Sequence, residues 1–171
     1  MSKLETGLIE IQINEFIYDG ENIVVGDENW KEWVLSSDPF EGDIGDGNNL
    51  TDKIVKTRQT KQLCSDCLSI CEPNKYSRVI SSAVDGQLLT NRYCQECCTA
   101  MAFDELHQDY KQYDDESEDY PEEEIMLSDV RQEVRTRNEK ILIGVLGKRY
   151  FDKPNDQLFK VMIEAQEPSH D

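Results

Sequence analysis

Two cysteine pairs of identical spacing, Cys64-Ser65-Asp66-Cys67 and Cys94-Gln95-Glu96-Cys97, constrain this chain more than any other feature. A two-residue gap lets one tight turn present two sulfurs to a single ion, and two such turns complete the tetrahedral thiolate shell that zinc favours. The 26 residues between Cys67 and Cys94 are enough for a β-hairpin that brings the turns together, with Asp85-Gly86 at its bend. Tyr76, Val79 and Ile80 supply its apolar contacts. After the second pair, Ala100, Phe103, Leu106 and Tyr110 keep helical spacing. Cys97 is therefore expected at a helix N-terminus, whose dipole favours a thiolate.

Knuckle, hairpin, knuckle and helix is the outline of a treble clef. The expectation is one structural zinc ion held by Cys64, Cys67, Cys94 and Cys97, with Cys98 competing with Cys97 for the fourth position. The segment resembles the small treble-clef zinc fingers of uncharacterised bacteriophage and prophage proteins. The residues that carry the resemblance are Lys56-Thr57-Arg58, Cys64, Cys67, Pro73, Tyr76, Asp85-Gly86, Cys94 and Cys97, spanning roughly 56–106. Two departures stand out. Asn74 replaces the family's usual glycine, which Asn tolerates because it visits the left-handed region. Cys71 stands near an apolar position and reads as a buried thiol. The resemblance implies the fold of this segment and a phage origin, and no particular activity.

The metal is expected to scaffold, because four cysteines close the shell that a hydrolytic zinc keeps open. The chain has two histidines, His107 and His170, and neither H-E-x-x-H nor a deaminase-like H-x-E with P-C-x-x-C. The expectation is a protein that is not an enzyme. A metal-dependent nuclease stays open as an alternative, since carboxylates are abundant. A redox reading of the pairs wants a βαβ context, which neither pair has.

The rest of the 171 residues read as an α+β chain of four parts. Residues 1–50 form an acidic, β-rich N-terminal unit: Leu8 to Ile17 mostly alternates, Asp19-Gly20 is a turn before Ile23-Val24-Val25, and Trp30 and Trp33 fit the buried side of a short helix. Ser36 to Asn49 reads as a loop. Residues 56–112 are the zinc domain, 113–125 an acidic linker and 126–168 a C-terminal helical region. There, Val130, Val134, Ile141 and Val145 argue for an amphipathic helix with Ser128 as candidate N-cap, although Lys140 to Ile143 could also form a strand. A second helix opens near Pro154 and is expected to bury Leu158, Val161, Met162 and Ala165.

The formal charge of −18 is unevenly distributed: −11 over 1–52, +4 over 53–92, −12 over 93–129 and +1 over 130–171. A loaded tetrathiolate site adds a further −2. Such a chain is repelled by nucleic acid and membrane surfaces and attracted to basic partners. The densest acids are Asp114, Asp115, Glu116, Glu118, Asp119, Glu122, Glu123 and Glu124, eight in eleven positions. Extended, that run carries a charge about every 4.5 Å, close to the roughly 3.4 Å phosphate spacing of one nucleic-acid strand and sparser than the roughly 1.7 Å of a duplex. A solubilising linker is the alternative reading of the run. The N-terminus lacks a signal-peptide layout and no apolar run approaches a membrane span, so a soluble cytoplasmic protein is expected.

These features predict a non-enzymatic, zinc-binding acidic interaction protein, phage-encoded and acting in the host cytoplasm. It would engage and inhibit or redirect a basic, nucleic-acid-binding host protein, through DNA mimicry or as a counter-defence factor. The alternative is a zinc-finger nucleic-acid binder that uses the basic segment 53–92, with Arg58, Lys61 and Arg78 as contacts.

Overall fold

The computed structural model describes residues 14–18, 20–38, 48–58, 62–112 and 127–166. The fold is α+β, with two small antiparallel sheets ahead of the C-terminal helices. Strands β1 (Glu15–Tyr18) and β2 (Glu21–Val24) pair in a hairpin that sets Phe16 opposite Ile23, with Gly20 at φ +76° in the two-residue connection. Helix α1 (Glu28–Ser36) follows and buries Trp30, Trp33 and Val34. Three-residue and four-residue spacing places these side chains on one face.

Strand β3 (Asn48–Lys56) was not foreseen from the sequence. It pairs with β4 (Tyr76–Val84), which pairs with β5 (Gln87–Cys94), giving the order β3-β4-β5. Thr51, Asp52 and Lys53 obscure its pattern, because much of the strand faces water and its register shifts between Asn49 and Thr51. It runs across the expected boundary near residue 50. The β4–β5 bend uses Asp85 and Gly86 at φ +50° and +75°, the pair of positive values that defines a type I′ turn.

β5 leads directly into helix α2 (Gln95–Gln112), and helix α3 (Leu127–Leu146) packs against it. A 3₁₀ turn (Tyr150–Asp152) and helix α4 (Asn155–Gln166) complete the described chain. Lys140 to Ile143 is helical, so the strand alternative does not hold. α3 begins one residue before Ser128, and the carboxylate of Asp104 on α2 accepts the Leu127 N–H at 2.9 Å. The cap therefore comes from another helix. Gly147, at φ +85°, ends α3 with its N–H on the Ile143 carbonyl. The buried stripe of α3 is Val134, Asn138 and Leu142, whereas Val145 is 64% exposed; on α4, Val161 and Met162 are buried and Ala165 is exposed.

Three buried clusters result. Ile23, Trp30, Trp33, Val34, Ile80, Tyr93, Cys98 and Ala102 form one, so the N-terminal unit shares a core with the cysteine segment. Trp30 also donates its indole N–H to Thr99 on α2 at 3.1 Å. A second gathers Leu63 and Ile70 with Leu142, Tyr150, Val161 and Met162. The third is Cys64, Cys67, Cys71, Cys94, Cys97 and Val134. No helix among the described residues is long and apolar enough to cross a membrane.

Ile80 lies at the centre of the first cluster, whereas Leu88 on the same hairpin is 68% exposed. Ile80→Ala is expected to lower stability by about 2–5 kcal/mol through lost burial and a residual cavity. Leu88→Ala should stay within about 0.5 kcal/mol, as read by urea denaturation of the metal-loaded chain.

Candidate metal centre

The first knuckle is built by its own backbone. The Cys64 N–H bonds the Ser69 carbonyl at 2.8 Å, the Leu68 N–H bonds the Cys64 carbonyl at 3.0 Å, and an isolated bridge joins Leu63 to Ile70. Leu68 takes φ +62° to close this turn, a left-handed conformation that costs a non-glycine residue about 1–2 kcal/mol. Leu68 packs on the second cluster, which offsets that cost. Downstream, Asn74 takes φ +68°, the conformation its amide tolerates best after glycine. The second pair spans the junction of β5 and α2, with Cys94 the last strand residue and Cys97 in the first helical turn. Ser65 ties the two halves: its N–H bonds the Arg92 carbonyl at 2.7 Å and its hydroxyl accepts the Arg92 N–H at 3.0 Å.

All four sulfurs lie within 4.8 Å of one another and all four residues are buried. Cys67 Sγ and Cys94 Sγ are 3.8 Å apart. A tetrahedral ion with bonds of about 2.3 Å to sulfur requires sulfur pairs about 3.8 Å apart, so the donor set fits a metal ion such as zinc. None of the six cysteines is in a disulfide. Hydrogen bonds from Cys64, Cys94 and Cys97 pull the Cys67 thiol pKa down, while the Cys64 and Cys67 contacts push Cys94 and Cys97 up. Sulfurs this close share protons, and a dication is what lets all four ionise together.

Cys98 does not join them. It sits in the neighbouring core cluster with its thiol toward the Gln95 carbonyl at 3.4 Å. Adjacent helical residues point about 100° apart, so Cys97 and Cys98 face different cores. Burial raises the Cys98 thiol, and burial, followed by the Cys64 charge, pushes Cys71 up to about 12.

Sequence reasoning missed what α3 contributes. Arg131 donates from Nε to Cys97 Sγ at 3.3 Å and from Nη2 to Cys67 Sγ at 3.3 Å and Cys94 Sγ at 3.8 Å. Burial works against its charge, but the Cys97, Cys67 and Cys94 sulfurs outweigh that and hold its pKa above the usual arginine value. The fourth sulfur, Cys64, accepts the Cys94 backbone N–H at 3.3 Å. Arg135 donates to the Ser65 and Asp66 carbonyls at 3.1 and 2.5 Å, and Gln132 donates to Asp66 Oδ1 at 3.0 Å. Asn138 donates to the Cys67 carbonyl at 2.9 Å and the Ser69 hydroxyl at 3.1 Å. The available signal was spacing: 131, 135 and 138 share a helical face with the buried Val134 and Leu142, so polar groups are interleaved with apolar ones on the side turned inward.

The basic contacts divide. Arg58 is exposed, and Lys61 lies outside the described residues. Arg78 requires a correction: it is 2% exposed, paired with Asp52 at 2.7 Å, and donates to the Val34 carbonyl and to Ser37. The β4 register turns it toward α1, where it satisfies carbonyls at the end of that helix, so it is not available to nucleic acid. Lys75 is held between Glu72 at 2.8 Å and Glu96 at 2.7 Å. The acidic run from Asp114 to Glu124 also lies outside the described residues.

Comparison with known protein families, curated proteins and solved structures finds no match. What the fold and the site define is a class: an α+β chain with a buried four-cysteine centre able to hold a metal ion.

With the metal bound, Cys71 and Cys98 should resist iodoacetamide at pH 8, because both are buried and their thiols are raised. Intact-mass measurement should show neither modified, against six modifications of the denatured, metal-stripped chain. Arg78→Ala should cost about 1–3 kcal/mol, since it strands the buried Val34 and Ser37 carbonyls while leaving the exposed Asp52 to water. Denaturant midpoints compared with those of Arg58→Ala check this.

Proposed function

We propose that the four-cysteine centre holds one structural zinc ion and that the protein is a non-enzymatic, acidic interaction protein. The observation that carries the first half is the set of four buried sulfurs within 4.8 Å of one another, with Cys67 and Cys94 at 3.8 Å. Such a shell leaves no open position for substrate or water. It can contribute on the order of 10 kcal/mol to a segment with little apolar core.

The second half rests on charge. At −18, the chain attracts basic surfaces and repels polyanions. The partner is a basic, nucleic-acid-binding host protein, which the acidic segment inhibits or redirects by imitating a phosphate strand, and the gene is a phage or prophage gene, as the resemblance over 56–106 implies. Removal of Arg78 from the exposed cations and the pairing of Lys75 with two carboxylates weigh against the alternative of direct nucleic-acid binding.

The metal is tested by elemental analysis and cobalt substitution. One ion per chain and a tetrahedral thiolate spectrum are expected, lost in Cys64→Ser, Cys67→Ser, Cys94→Ser or Cys97→Ser and kept in Cys98→Ser. Retention in Cys97→Ser with loss in Cys98→Ser would defeat the ligand set. The interaction is tested with the zinc-loaded chain at 150 mM salt, a concentration that screens beyond about 8 Å. Capture of a basic nucleic-acid-binding protein that competing duplex DNA releases supports the reading. Direct binding of duplex DNA without such capture counts against it.

A further inference from the structure

We propose that Arg131 is the positioning residue through which a bound metal holds the C-terminal helical pair in place, so that metal loading and docking of α3 are one equilibrium. This inference rests on the zinc reading above and concerns this chain's own residues around the ion.

Four observations carry it. The guanidinium spans three of the four sulfurs, with Nε on Cys97 and Nη2 on Cys67 and Cys94. It thereby bridges both knuckles, which otherwise meet at Cys64, Ser65 and Arg92. A zinc tetrathiolate carries a net charge of about −2, and Arg131 is the guanidinium whose hydrogen bonds to these sulfurs are in place to offset half of it. The other polar groups that α3 lays on the first knuckle, Gln132, Arg135 and Asn138, bond carbonyls, a hydroxyl and a carboxylate whose charge does not depend on the metal. The apolar support is small at this end: Val134 is the α3 residue buried in the cysteine cluster, while Leu142 belongs to the cluster with α4.

The consequence follows from charge. A guanidinium bonded to three sulfurs binds them most strongly where a bound ion holds them as thiolates. Loading the ion draws Arg131 in and fixes α3, and α3 in place lowers the negative charge that the ion must tolerate. Because Leu127 opens α3, the same contact fixes the start of the helix that follows the acidic run in the sequence. The metal thus sets one end of the segment proposed to meet the partner.

The test uses the full chain with Zn²⁺ as the added ligand, with hydrogen exchange of the 127–146 amides and chelator-driven zinc release as readouts. In the wild type, removing zinc should raise exchange in 127–146 about tenfold or more. Zinc-loaded Arg131→Ala should exchange there like the metal-free wild type while 64–67 stays protected. It should also release zinc about 10–100-fold faster, the usual effect of losing an outer partner of a metal ligand. Arg131→Lys, which keeps the charge without the fork, should fall between the two. Wild-type protection of 127–146 and wild-type release in zinc-loaded Arg131→Ala would overturn the proposal. Should Arg131→Ala not fold, the zinc titration of the wild type decides: full protection of 127–146 in metal-free chain whose 64–67 amides are open would overturn it. A wild type that takes up no zinc would instead defeat the structural-zinc reading and this inference with it, a result that elemental analysis separates from the others.

Discussion

Four buried sulfurs that repel one another when ionised are the constraint on which the rest of this structure depends. They come from two places with 26 residues between them, and the intervening hairpin brings them to one point. Once there, they are hemmed in by two apolar clusters that do not share a buried residue. One is built on the N-terminal hairpin, α1 and the inner face of the sheet; the other is built on the first knuckle and the C-terminal helices. Neither cluster is large, and small cores leave a chain marginal. The cysteine centre joins them, because α2 carries Cys97 into it and Cys98 and Ala102 into the first cluster, while the knuckle carries Cys64 and Cys67 into it and Leu63 and Ile70 into the second.

The parts of this arrangement with a short-range signature were legible in the sequence. Cysteine spacing identified the sulfurs that meet, Asp85-Gly86 the hairpin bend, and Trp30 and Trp33 the buried face of α1. What the sequence concealed depends on partners distant along the chain. β3 carries polar residues on an edge, and nothing local distinguishes Asn48–Lys56 from a loop until β4 pairs with it. The N-cap of α3 comes from Asp104, 23 positions upstream. Arg78 and Arg131 were invisible for the same reason. An arginine reads as a surface cation unless Asp52 and the end of α1, or three sulfurs, are known to surround it.

Those two arginines show how a strongly acidic chain uses its scarce cations. Of 18 lysines and arginines, Arg78 satisfies carbonyls and a carboxylate inside the fold, Arg131 and Arg135 clasp the knuckles, and Lys75 neutralises two glutamates. Each sits where positive charge relieves a local excess of negative charge or unpaired carbonyls. Planar guanidinium suits this work, since it reaches several acceptors at once and keeps its charge when half-buried. Cations committed inward cannot also form an outward basic face.

The same accounting bears on what the metal centre is for. Hydrogen bonds from Arg131 and the Cys94 backbone reach all four sulfurs, and a thiolate that already accepts an N–H is a poorer nucleophile and a weaker reductant. The four sulfurs come from three places, Cys64 and Cys67 from the first knuckle, Cys94 from the end of β5 and Cys97 from α2, and the α3 arginine reaches both pairs. A centre of this kind fixes distances between surfaces.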